Sequence, residues 1–166
     1  IADNLAVYVS LVYGDYAHMS GPNLAAATLL FALQLYMDFS GCCDIVLGAA
    51  RILGYDLIEN FQSPFGATSF ADFWRRWHIS MTGWFRDYVY FSLGGSRCGA
   101  VRHLFNILVV FLVSGLWHGA DWRYLMWGLA CGAISVAAVL TRRPRGVIAR
   151  YNPLYRIDGV RRWVQR

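Results

Sequence analysis

The run LFNILVVFLVSGLWHGA (residues 104–120), then DWR (121–123), then YLMWGLACGAISVAAVLT (124–141), decides the fold class. Neither long run carries a formal charge, apart from a possible one on His118. About 20 mostly apolar residues suffice to cross roughly 30 Å of hydrocarbon. Two such runs joined by a short turn read as a transmembrane hairpin. Arg97 and Arg102 precede it and eight Arg follow it, from Arg142 to Arg166, so both ends are expected on the cytoplasmic side. Gly115 with Gly119, and Gly128 with Gly132, give each helix a G-x-x-x-G face for close backbone approach.

The rest of the chain agrees with a membrane setting. Of 166 residues, 57% are hydrophobic, 16% aromatic and only 15% charged, whereas soluble domains average about 45–50% apolar and about 25% charged. Disordered, coiled-coil and ordinary cytosolic readings are thereby excluded. The net charge of +5 comes from Arg alone, since no Lys occurs. These Arg lie between apolar spans and at the end of the chain, which suits a membrane face and not a nucleic-acid groove. Cys42, Cys43, Cys98 and Cys131 show neither zinc-ligand spacing nor a disulfide framework, so no metal site is expected. The start at Ile1 and the finish inside a basic stretch lead us to expect a piece of a longer protein.

Working outward, residues 16–37 are expected to span the membrane, and residues 5–13 form a shorter apolar run. Residues 43–53 are apolar but short and carry Asp44 and Arg51, which predicts a short buried helix. Residues 60–102 have another texture, rich in Gly, Arg and aromatics, and read as an interfacial or re-entrant segment. Within it, Ser69-x-x-Asp72 predicts a capping box. Phe70, Phe73, Trp74 and Trp77 then fall on one stripe at i, i+3, i+4 and i+7, with Asp72, Arg75 and Arg76 opposite. That pattern predicts an amphipathic helix at the headgroup layer. Residues 142–166 are expected as a basic cytoplasmic segment. The whole predicts an all-α, polytopic transmembrane helical bundle, multi-pass in a cell membrane and in contact with its lipids, forming a single partial domain over 1–166.

Polar residues in apolar surroundings are the candidate site. Asp38, Asp44 and Arg51 read either as an ion-pair set joining helices or as direct ligands. His118 closes an apolar span one turn after Ser114, between Gly residues that leave room for a substrate. A neutral imidazole, with an ordinary pKa of about 6.5, is the usual general base near neutral pH. A helix-end His beside Trp117 equally fits an interfacial anchor. His78 has the same two readings, and His18 and His103 read as boundary residues. No nucleophile elbow or P-loop occurs.

Six motifs then appear in order: Asp38-Phe39-Ser40-Gly41 with Asp44; Glu59-Asn60-Phe61; Phe73-Trp74-Arg75-Arg76-Trp77-His78-Ile79-Ser80; Trp84-Phe85-Arg86-Asp87-Tyr88; Leu93-Gly94-Gly95; and Gly115-Leu116-Trp117-His118-Gly119-Ala120. In this order they resemble the membrane-bound O-acyltransferases, most closely the alginate O-acetyltransferase branch, with the D-alanyl transfer protein of teichoic acid modification a near relative. The resemblance covers about residues 36–132. It departs at Cys42-Cys43 and at Cys98, outside the His motifs.

The resemblance implies an enzyme with many spanning helices around a tunnel, in the bacterial inner membrane. An acyl group, expected to be acetyl from acetyl-CoA, passes from a cytoplasmic thioester to hydroxyls of an exported polysaccharide, directly or through a periplasmic or extracellular acetyltransferase partner. The thioester is a co-substrate; no bound cofactor is implied, and nucleic acid is not a partner. The family's catalytic His maps onto His118 and its second His onto His78. Asp38, Asp44, Arg76, Trp77, Arg86, Ser114 and Trp117 are tunnel-lining or structural candidates. Two alternatives stand beside this reading. One is D-alanyl transfer from a carrier protein to teichoic acid. The other, of a different class, is a non-enzymatic transporter or channel subunit.

Overall fold

The computed structural model describes residues 1–141, so the expected basic segment 142–166 lies outside the described residues. Helices and short helical turns dominate, and two compact units divide the chain after Asn60.

In the first unit, α1 (Ala2–Gly14) packs along α2 (Gly21–Ile52). Val9, Val12 and Ala27 are buried between them. Tyr13 reaches across to Thr28, hydroxyl to hydroxyl at 3.1 Å, and sets its ring edge-on to Phe31 at 6.3 Å. The start of α2 is specified locally. Ser20 is extended and its Oγ accepts from the Asn23 amide, while Pro22, with no amide to satisfy, fits the first turn. The end is equally local: Gly54 turns left-handed at φ 82°, so that the amides of Gly54 and Tyr55 bond back to the carbonyls of Arg51 and Ala50.

The expected span at 16–37 and short helix at 43–53 are not separate elements: residues 21–52 form one 32-residue helix, long and apolar enough to cross a membrane, and Tyr16–His18 is a short 3-10 turn before it. Ser40, Gly41 and the two Asp residues lower apolarity without breaking a backbone; a helical Gly costs only about 1 kcal/mol. Nor is 43–53 buried: Asp38, Asp44 and Arg51 are exposed on this unit, and none makes an ion pair among the described residues.

The second unit is built on the hairpin of α5 (Ala100–His118) and α6 (Trp122–Leu140). Like α2, both are long and apolar enough to cross a membrane. Glycine makes their contact possible. A Cβ on Gly128 would come within 2.5 Å of the Phe111 carbonyl oxygen, and one on Gly115 would strike the Tyr124 carbonyl. Ser114 is buried in the same seam.

Before the hairpin come α3 (Phe70–Arg76), α4 (Ile79–Trp84) and a π-helical stretch, Phe85–Tyr90. The Ser69 Oγ caps α3 by accepting from the Asp72 amide at 3.1 Å. The return bond differs from the expected box, since Asp72 accepts from the Thr68 amide at 3.2 Å. Asp72 was expected on a polar outer face, but it is buried, and Arg75 and Arg76 fold onto its carboxylate at 3.1 Å each. The aromatic stripe is also partly spent on protein. Trp74 meets Phe111 of α5 at 5.3 Å and Trp127 of α6 at 6.3 Å.

Candidate active site

The C-terminal end of α5 and the break between α3 and α4 come together in the second unit. After Arg76 the backbone turns extended at Trp77 and left-handed at His78 (φ 46°, ψ 56°) before α4 begins. A non-glycine residue in that region is uncommon and strained by about 1–3 kcal/mol. The surroundings hold it: the amide of Gln62 bonds the Arg76 carbonyl, the Thr82 hydroxyl bonds the Trp77 carbonyl, and the Thr82 amide bonds the His78 carbonyl. The outcome is a half-buried imidazole edge-on to Trp117, ring centres 6.3 Å apart. Burial pushes the His78 imidazole below its ordinary pKa, and positive charge on His118 would push it the same way.

Trp117 stands next to His118, with ring centres 4.9 Å apart and planes nearly perpendicular. On the far side α6 supplies two more rings, Tyr124 roughly parallel at 6.2 Å and Trp127 at 5.2 Å with the two ring planes nearly perpendicular. The connection between the helices is tight. Gly119 adopts φ 155°, and Asp121 caps α6 by accepting from the Arg123 amide at 2.8 Å while also pairing with the Arg123 guanidinium. His118 therefore sits in a bracket of rings and is otherwise exposed within the chain. The narrow enclosure implied by the resemblance is not formed by these residues.

Of the expected site residues, the fold brings His78, Trp117 and His118 together and places Ser114 one turn before His118 in the helix seam. Trp77 stacks on Phe73 at 5.5 Å. Arg76 is taken up by Asp72, whose carboxyl the Arg76 hydrogen bond holds below the usual range. Arg86 is exposed on the π-helical stretch and paired with Asp87 at 2.7 Å. Asp38 and Asp44 belong to the first unit.

Other contributors were not singled out from the sequence. Tyr124 and Trp127 lie one turn apart on α6, a spacing that was visible. Asn106, fully buried, donates to the carbonyls of Leu93 and Gly95 at 3.0 and 3.1 Å and fixes the Gly94-Gly95 turn to α5. His103, read as a boundary residue, bonds the Tyr90 hydroxyl at 2.9 Å.

Comparison with known proteins adds to this geometry. Residues 15–145 match the sequence pattern of the membrane-bound O-acyltransferase family, MBOAT. A protein of Pseudomonas putida named probable alginate O-acetylase AlgI is 40% identical over 157 residues, which cover 93% of this chain and 31% of that relative. The peptidoglycan O-acetyltransferase of Helicobacter pylori is 39% identical over 137 residues, 82% of this chain and 26% of its own. The teichoic acid D-alanyltransferase of Bacillus subtilis is 32% identical over 106 residues, 60% of this chain and 27% of its own. The chain thus spans about a third or less of the length of these relatives.

Proposed function

Because this chain belongs to the membrane-bound O-acyltransferase family, we propose that it is the histidine-bearing part of an enzyme moving an acetyl group to hydroxyls of an exported polysaccharide, with His118 as the base. The observation that carries the proposal is the pairing of His78 and His118 across Trp117 at the end of a membrane-spanning helix. A hydroxyl is a weak nucleophile until a base takes its proton, and a neutral imidazole does so near neutral pH. His118 removes the proton as the oxygen attacks the thioester carbonyl. His78, half-buried and biased toward its neutral form, helps shape the site without adding a second cation.

The names of the relatives support acetyl over other acyl groups, since those named for acetyl transfer match more of the chain at higher identity than the one named for D-alanyl transfer. Acetyl-CoA is the proposed co-substrate, and an acetyltransferase outside the membrane the proposed recipient when transfer is indirect. Asp38, Asp44 and Arg86 are proposed as supports of the surrounding helices.

The test uses the full-length protein in lipid vesicles with radiolabelled acetyl-CoA and alginate. His118→Ala is expected to lower transfer by roughly 10²- to 10⁴-fold while the thermal transition is kept. Undiminished transfer by that variant removes His118 as the base. Label transferred only from a D-alanyl carrier protein would replace the acetyl donor and leave the base in place.

A further inference from the structure

We propose that Tyr124 and Trp127, together with Trp117, are positioning residues whose rings hold the imidazolium that His118 becomes during transfer. The inference rests on His118 acting as the base. Bases of this kind are commonly oriented and stabilised by a carboxylate. Among the described residues, no carboxylate and no hydrogen-bond partner reaches the His118 ring. What does reach it is aromatic: Trp117, Trp127 and Tyr124, with ring centres at 4.9, 5.2 and 6.2 Å. A cation over the face of an aromatic ring is attracted when it lies within about 6 Å of the ring centre, most strongly to Trp, a distance that Trp117 and Trp127 meet and Tyr124 just exceeds.

The bracket is built rather than incidental. Trp127 is backed by Trp74 at 6.3 Å, and Trp74 in turn by Phe111 at 5.3 Å. Tyr124 lies against Gly119, where a side chain would occupy the space its ring needs. His78, the other titratable ring facing Trp117, is held toward neutrality by burial, so the new cation meets no second charge there.

The proton and bonds balance as follows. The acceptor hydroxyl gives its proton to an imidazole nitrogen of His118, and its oxygen bonds to the thioester carbonyl carbon. The carbon–sulfur bond then breaks, and the imidazolium returns the proton to the departing sulfur, leaving an ester and a free thiol. Positive charge on His118 exists only between those two transfers. Rings that favour it over the neutral form therefore act on kcat and not on substrate binding.

The test uses the full-length protein in vesicles with acetyl-CoA and alginate. Trp127→Leu is expected to lower kcat about tenfold with the donor KM unchanged, and Trp127→Phe to recover much of the loss. Tryptophans bearing one to four fluorines, installed at position 127, are expected to lower kcat stepwise, because fluorine drains the π face while shape is kept. A flat fluorinated series, or a loss confined to KM, overturns the proposal. If Trp127→Leu does not fold, the fluorinated series decides alone. His118→Ala measured in parallel separates the two readings. Retained transfer there removes the base itself, whereas an inactive His118→Ala beside a flat fluorinated series removes only the role of the rings.

Discussion

Gly119 and Tyr124 touch so closely that a methyl group at Gly119 would lie 2.7 Å from Cε2 of the tyrosine ring. The backbone there, φ 155° with ψ 152°, is one that glycine alone adopts comfortably. Gly119→Ala is thus expected to displace the Tyr124 ring and with it His118. Acyl transfer should fall roughly ten- to a hundredfold, with a stability loss of about 1–3 kcal/mol. Radiolabel transfer and thermal denaturation of the same preparation check both. Wild-type transfer by the variant would show that the turn tolerates a side chain and that the ring has no bearing on the base.

Asn106 ties the Leu93–Gly95 turn to the first third of α5. Asn106→Ala removes the donor from two carbonyls and leaves a void at a fully buried position. A loss of about 1–3 kcal/mol is expected, read as a lowered unfolding temperature in detergent. A change within error would mean that water or another donor replaces the amide.

His78 makes stability depend on pH. Its pKa in the folded protein lies below the unfolded value of about 6.5. The unfolded chain therefore takes up the proton first, and the stability His78 contributes is complete above about pH 6.5 and lost as pH falls. The unfolding temperature of the wild type should drop between about pH 7.5 and about pH 5.5, and His78→Gln should flatten part of that drop. An identical slope in the variant would assign the dependence to other groups.

Much of this was legible in the sequence, for identifiable reasons. The hairpin followed from two uncharged runs, and the close approach of α5 and α6 from Gly115, Gly128 and Gly132, because apolar length and small residues at fixed spacing are local properties. The cap at Ser69 was equally local, although the return bond moved to Thr68. What escaped depends on partners distant in the chain. The neutralisation of Arg75 and Arg76 by a buried Asp72, and the docking of Trp74 on Phe111 and Trp127, cannot be read from helical periodicity alone. The unity of α2 is hidden for a different reason: Asp38 and Asp44 interrupt its apolar pattern, a change of solvent, without interrupting its backbone. At the site, the two histidines stood out by type and motif, but Tyr124 and Trp127 looked like any aromatics in a membrane helix until α6 folded back on His118.

The continuity of α2 has a consequence for its acidic and basic residues. Thirty-two residues at about 1.5 Å each make a rod of about 48 Å, against a hydrocarbon slab of roughly 30 Å. Containing it entirely would require an inclination of about 50° from the bilayer normal, steeper than the roughly 40° limit seen for such helices. One end must therefore protrude. Measured from the capped start at Gly21, about 20 residues exhaust the slab near Ser40. With Gly21 set at one face of the slab, Asp38 would lie just inside the other face and Asp44 and Arg51 beyond it, among headgroups and water.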